Sequence, residues 1–340
     1  MMPKMKSLIA ATGLALAVLT PPAAAQETVL RFSSWLPPTY PLQTEVFVPW
    51  AEEIAAATDG RVKIEFVTGL GSPQAHFDLI RNGVADISFS VHAYNADRFP
   101  LVMGLELPFT APDSRSASIA SWRTYEKFFQ DANEYRGIKV LGIWMTGPAN
   151  IFTRDKKIES LGDLNGLKIR VAGGIAKDIA ERLDMVPVFA PATESYEIIS
   201  KGVADGIFFP TESAYNFKLA PALKHGLEIP NGLYYSGQYM LMNQQKFDSL
   251  SAEDQQILIR LGGEHLAELA AKMWDGQDII GKKGMQEAGT EFTVADGELL
   301  ESLKAQLAIF EERWLEIAAE KGIDGGAVLA YFREEIAGLN

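Results

Sequence analysis

The chain contains no cysteine, which excludes disulfides, thiolate metal sites and a lipidated N-terminal Cys. Basic charge is also scarce. The 31 Lys and Arg stand against 44 Asp and Glu, a formal net charge of −13, and so acidic a surface argues against nucleic acid as a partner. It leaves the solute open, because local charge in a cleft can oppose the net charge. Histidine is limited to His76, His92, His225 and His265. None of them stands at the i, i+4 spacing of a helical zinc pair, so no metal is expected. No P-loop, Gly-x-Gly-x-x-Gly fingerprint or Gly-x-Ser-x-Gly elbow occurs, and GLGSPQ (Gly69–Gln74) lacks the spacing of the first two. No cofactor is called for, and binding becomes a better first hypothesis than catalysis.

Long apolar runs are nearly absent. The one that stands out, Leu8 to Leu19, follows Lys4 and Lys6 and precedes Ala23-Ala24-Ala25. It is shorter than the ~20 residues that span a bilayer. The pattern is that of a secretory signal peptide over residues 1–25, cut near Ala25, with export to the periplasm. Residues 26–340 have the length of two domains.

What the chain does contain is an internal echo. LIRNGVADISF (Leu79–Phe89) and IISKGVADGIF (Ile198–Phe208) both read as a helix end, a closing Gly and a buried strand. An alternating strand precedes each: GRVKIEFVTG (Gly60–Gly69) and GLKIRVAGG (Gly166–Gly174). Two similar α/β lobes with mainly parallel sheets follow from this. Thr28–Trp35 and Gly137–Gly147 add strands, and Pro41–Gly60 a helix with Val46, Trp50, Ile54 and Ala57 at helical spacing. A capping box at Ser251 opens a helical run past Gly262-Gly263 and Gly276, long enough to tie two lobes together. A last helix is expected over Gly297–Lys321.

Arg170 interrupts the strand Leu167–Val171, pointing opposite to Leu167, Ile169 and Val171. It suits a solvated edge strand. It equally suits the carboxyl end of a sheet, where ligands bind and an Arg fork grips a carboxylate.

Five segments in order resemble the solute-binding proteins of TRAP transporters, the DctP family. They are LPPTYPLQTEVFVPWAEEIAAATDGRVKIEF, DLIRNGVADISF, SLGDLNGLKIRV, GVADGIFFP and YMLMNQQKFDSLSAEDQQ. The resemblance implies a two-lobe α/β periplasmic-binding-protein fold with hinges and a long bridging helix. Lobe I takes 26–148 plus 237–275, and lobe II 149–236 plus 276–340. It further implies a small organic carboxylate gripped by Arg170, TRAP membrane permease subunits as partners, a monomer, and no enzymatic turnover.

Two positions depart from sialic-acid-type members of that family. Asn150 stands where they carry a second Arg, and Phe209 where they carry a cleft Asn. Trp35, Tyr40, Tyr94 and Tyr235 fall in segments that line the family's cleft, whereas Trp144 and Phe208 read as core. Gln74 and His92 are candidate polar contacts, His92 equally a structural histidine. A monocarboxylate with an apolar or aromatic body is therefore expected, with a C4-dicarboxylate or sugar acid as the alternative. From another class, a secreted enzyme would need an acid–base pair such as Glu212 beside His92; a sensor subunit on the same fold is the third reading.

Overall fold

Two sheets divide the strands of a computed structural model that describes residues 27–339. The expected signal peptide and its cut near Ala25 lie outside the described residues. The chain first lays down β1 (Thr28–Ser34), β2 (Val62–Thr68), β3 (Ile87–Val91) and β4 (Ile138–Met145). It then crosses to form β5 (Asn150–Thr153), β6 (Lys168–Val171), β7 (Val186–Phe189), β8 (Gly206–Phe209) and β9 (His225–Glu228). It recrosses to place β10 (Gly237–Asn243) in the first sheet, and later adds β11 (Glu291–Val294) to the second.

The sheet orders are β2-β1-β3-β10-β4 and β11-β9-β5-β8-β6-β7. Each is parallel apart from one strand, β10 in the first and β5 in the second. Both exceptions are the strand made directly after a crossing. Interior strands β3 and β8 are buried along their whole length, as helices on both faces require. The edge strand β2 alternates towards solvent.

The two crossing segments pair with each other. Thr146 N–H donates to Ser236 O at 3.0 Å, Ala149 N–H to Tyr234 O at 3.0 Å and Leu233 N–H to Ala149 O at 2.9 Å. A third connection is the helix Gly263–Glu287. Its two aspartates one turn apart hold one helix of each lobe. Asp275 Oδ1 accepts from Ser114 N–H at 2.8 Å, at the start of helix Ser114–Thr124. Asp278 Oδ1 accepts from Glu212 N–H at 2.6 Å, at the start of helix Thr211–Asn216. Acceptors placed at helix N-termini satisfy N–H groups that the helix itself leaves free.

The helical run expected from Ser251 onward divides into Ala252–Leu261 and Gly263–Glu287. Gly262 packs so closely that a Cβ there would stand 2.5 Å from Leu141 O, and Gly263 has φ 57°. Gly276 lies within the second helix and does not interrupt it. The expected last helix is likewise two, Gly297–Leu307 and Ile309–Glu320, followed by Gly325–Leu339. Placing all of 276–340 with lobe II does not describe this tail. Trp314 Nε1 donates to Leu101 O at 3.0 Å and Arg123 pairs with Glu335 at 2.7 Å, so the chain returns to the first lobe. The apolar face of an amphipathic tail docks where a complementary surface is open, which spacing alone does not reveal.

Candidate ligand-binding site

The carboxyl ends of β1, β3, β6 and β8, two strands from each sheet, meet at one cavity of about 40 Å³. Trp35 follows β1, Val91 ends β3 and Tyr94 lies in the turn after it. From the other side come Arg170 and Ala172 at the end of β6, Ala192 beyond β7 and Phe209 at the end of β8. Thr146, Tyr234 and Ser236 from the crossing segments and Gln238 at the start of β10 complete the wall with Trp274 of the bridging helix.

The lobes touch around this space. Ala192 N–H donates to the Tyr94 hydroxyl at 2.9 Å, and the Tyr40 hydroxyl donates to Glu212 Oε2 at 2.9 Å. A Cβ on Gly173 would stand 2.6 Å from Ala93 O, and its φ of 110° suits glycine. The cleft is shut.

Arg170 is the charge in this apolar wall. Its strand is interior, paired with β7 and β8, so the solvated-edge reading does not hold: the side chain is 1% exposed. Nε and Nη2 both donate to Ala190 O, at 3.0 and 2.6 Å. The guanidinium carbon lies 4.8 Å from the centre of the Phe209 ring, in cation–π range. Burial pulls its pKa below the usual value, against the Tyr94 and Tyr234 hydroxyls beside it. Among the described residues no carboxylate forms an ion pair with it.

The rings are ordered by mutual contact. Trp35 stacks on Phe89 at 5.0 Å and meets Tyr94 edge-on at 6.2 Å. Phe209 stacks on Phe217 at 5.7 Å. Of the residues singled out from the sequence, Trp35, Tyr94, Arg170 and Phe209 line the cavity together, with Tyr40.

Four others do not. Tyr235 turns away and donates to Ala111 O at 2.8 Å, while Tyr234, Ser236 and Gln238 face the cavity. An extended chain alternates its sides, so choosing the wrong tyrosine is a one-residue slip. Asn150 is tied inside the second lobe: its Oδ1 accepts from Ile229 N–H at 3.0 Å and its Nδ2 donates to Thr211 Oγ1 at 3.3 Å. Gln74 sits in the turn Pro73–Ala75, off the cavity.

His92 points into the first lobe, against Tyr135, Phe99 and Tyr239, and burial pulls its pKa down to about 3. Its acidic neighbour is Glu106, with Nδ1 3.8 Å from Oε1, and not Glu212. Glu212 instead accepts from Tyr40, Ser213 and Asn216, and burial raises its carboxyl to about 7. The acid–base pair an enzyme reading needed is thus not assembled.

Trp144 and Phe208 are core, as read from the sequence. Trp274, Gln238, Tyr234 and Ser213 were missed. Tyr234 was recoverable from the period-two pattern; Trp274 carried no signal beyond that of any buried helix residue.

With this geometry in view, comparison with known proteins is specific. The family model described as bacterial extracellular solute-binding protein, family 7 (DctP) matches residues 32–317. A TRAP periplasmic solute-binding protein from Bordetella bronchiseptica, solved with bound (R)- and (S)-mandelate, is 44% identical. It superposes with a TM-score of 0.90 over 92% of this chain and 100% of its own. A marine metagenome TRAP solute-binding protein specific for aromatic acid ligands, solved with 3-hydroxybenzoate, is 31% identical, with a TM-score of 0.86 over 92% and 99%. Among curated relatives, the outer membrane transporter protein TsaT of Comamonas testosteroni is 29% identical over 96% of this chain and 97% of its own. The chain belongs to the family 7 solute-binding proteins, the receptors of TRAP transporters.

Proposed function

We propose that this receptor works in the periplasm and captures a compact aromatic monocarboxylate, which it delivers to TRAP permease subunits without chemical turnover. The observation that carries the reading is the buried Arg170, which has no carboxylate partner among the described residues and faces a wall of rings. A desolvated cation without a counter-ion is unfavourable, and an anionic ligand relieves it. One cation favours a ligand with one charged end; a C4-dicarboxylate would bring a second charge into an apolar wall. The relatives solved with mandelate and 3-hydroxybenzoate support the same class.

The mechanism follows from the three connections. We take lobe I as 26–148 with 237–275, and lobe II as 149–236 with the segment from 276 through helix Gly297–Leu307. The two are rigid bodies that part and close about 146–149 and 233–236. The carboxylate docks on the lobe II arginine, and closure brings Trp35 and Tyr94 over the ring, excluding water.

A thermal-shift and calorimetry panel tests this. Mandelate, benzoate and 3-hydroxybenzoate should stabilise the protein by about 2.7 kcal/mol at ~100 Kd, and succinate and sialic acid should not. Preferential binding of the latter two would overturn the ligand class and leave the family untouched.

A further inference from the structure

The cavity wall holds hydrogen-bonding capacity that a carboxylate on Arg170 does not use. Trp274, 2% exposed and midway along the bridging helix, lines the cavity, yet among the described residues its indole N–H meets no acceptor. An indole nitrogen only donates, and a buried donor without a partner is a cost that native interiors rarely carry.

Gln238 points the same way. Trp144 Nε1 donates to Gln238 Oε1 at 2.6 Å, so the carbonyl end of that amide is engaged. Its NH₂ end is what remains for the cavity that Gln238 lines. The nearby hydroxyls are complementary. Tyr40 and Ser213 send their protons to Glu212, and Thr146 donates to Gly147 O at 2.9 Å. The Tyr40 and Ser213 oxygens are left to accept, whereas the Thr146 oxygen already accepts from Ser236 N–H at 3.2 Å. Donors and acceptors side by side fit an oxygen substituent on the ligand, above all a hydroxyl, which does both.

We propose that Trp274 is a specificity residue. Its indole N–H, seconded by the Gln238 amide, donates to an oxygen of the ligand other than its carboxylate, so the preferred solute is a hydroxy- or oxo-substituted aromatic acid. This deepens the aromatic-acid reading above and rests on it. A site built around a ligand oxygen discriminates strongly against the analogue lacking it, because the site's own groups are then left unpaired.

Two matched pairs test it by calorimetry: mandelate against phenylacetate, and 3-hydroxybenzoate against benzoate. The full mature chain should bind the oxygenated member of at least one pair about tenfold tighter or more. Trp274→Phe should collapse that ratio to within about threefold. A ratio that survives in Trp274→Phe, or no preference in either pair, overturns the proposal. In the latter case Arg170-dependent binding of phenylacetate or benzoate would leave the parent reading standing. Failure of all four acids would overturn the parent reading and this one with it.

Should Trp274→Phe not fold, the indole ¹H–¹⁵N spectrum of the wild type, with its six tryptophans, decides. The Trp274 signal should move downfield with the oxygenated acid and not with its partner. A response confined to Trp35, the other cavity indole without an acceptor, overturns the assignment.

Discussion

Asp86 in the first sheet and Asp205 in the second make the same three bonds. Asp86 N–H donates to Arg31 O, its Oδ2 accepts from Arg31 N–H at 2.7 Å, and its carbonyl accepts from Asn243 N–H. Asp205 N–H donates to Lys168 O, its Oδ2 accepts from Lys168 N–H at 2.9 Å, and its carbonyl accepts from Arg154 N–H. Each aspartate therefore aligns a parallel strand on one side and an antiparallel strand on the other. The glycines three residues earlier, Gly83 and Gly202, close their helices at φ 68° and 70°. Local chemistry in the echo builds the same corner twice.

The lobes part company at the other end of the strands. The first presents Trp35 and Tyr94, neutral and aromatic; the second presents Arg170 backed by Phe209. The difference teaches that the repeated segment specifies scaffold, while residues at the carboxyl ends of the strands give the two lobes different cavity walls. One lobe brings a buried cation to the cavity and the other brings neutral rings.

The sharpest test of that division is Arg170→Ala. Two charge-assisted bonds at ~1.5–3 kcal/mol each imply a loss of about a hundredfold or more in affinity for an aromatic acid by calorimetry, with the fold intact. Arg170→Lys should recover little, since an ammonium lacks the planar fork. An affinity within a few-fold of wild type for Arg170→Ala would place the anchor elsewhere.

Next in size is the acid that joins the lobes. Glu212 titrates near 7 in the folded protein against an ordinary 4.5, because burial disfavours its charge. The folded state thus holds the proton more tightly. The stability this lends is whole below pH 4.5 and is lost as pH rises through 7. Glu212→Gln should remove that slope, so that the difference in stability between variant and wild type changes by about 1–3 kcal/mol across the window. Denaturant melts at pH 4.5 and 8 read it; parallel curves would mean that Glu212 stays ionised.

The echo itself can be broken symmetrically. Asp86→Ala and Asp205→Ala should each destabilise the protein by about 0.5–1.5 kcal/mol, since each trades an exposed strand N–H to carboxylate hydrogen bond for one to water. Chemical denaturation of the pair would show whether the corners are equivalent; a neutral result in one lobe would limit the parallel to geometry. The smallest effect is expected from Tyr94→Phe, which removes an acceptor across the cleft from Ala192 N–H. A loss of about three- to tenfold in affinity, carried by faster dissociation in stopped flow, would mark it as a closing contact. Slower association with unchanged dissociation would not.

Much of this arrangement is legible in the sequence. Strand alternation put Arg170 on the face opposite its apolar neighbours, and its place beside Gly173-Gly174 put it at a strand end. The echo announced two lobes. Asn150 was misjudged because counting back from Arg170 locates a residue along the chain and not its neighbours. Its amide is spent on Ile229 and Thr211. His92 was ambiguous for a related reason, since a turn after β3 can aim a side chain inward or into the cleft, and here it joins an aromatic cluster.

What the sequence by itself determined is whatever depends on near neighbours: strand and helix periods, helix-closing glycines, and a cation at the end of β6. Tertiary structure alone decided which residues from distant segments share a wall. Trp274 is 104 positions from Arg170 along the chain, yet both line one cavity. Helical spacing says only that Trp274 is buried. That its indole meets the cavity follows from Asp275 and Asp278 fixing the rotation of one helix against both lobes at once. That rotation is set by contacts between lobes, and such contacts leave no period in the sequence.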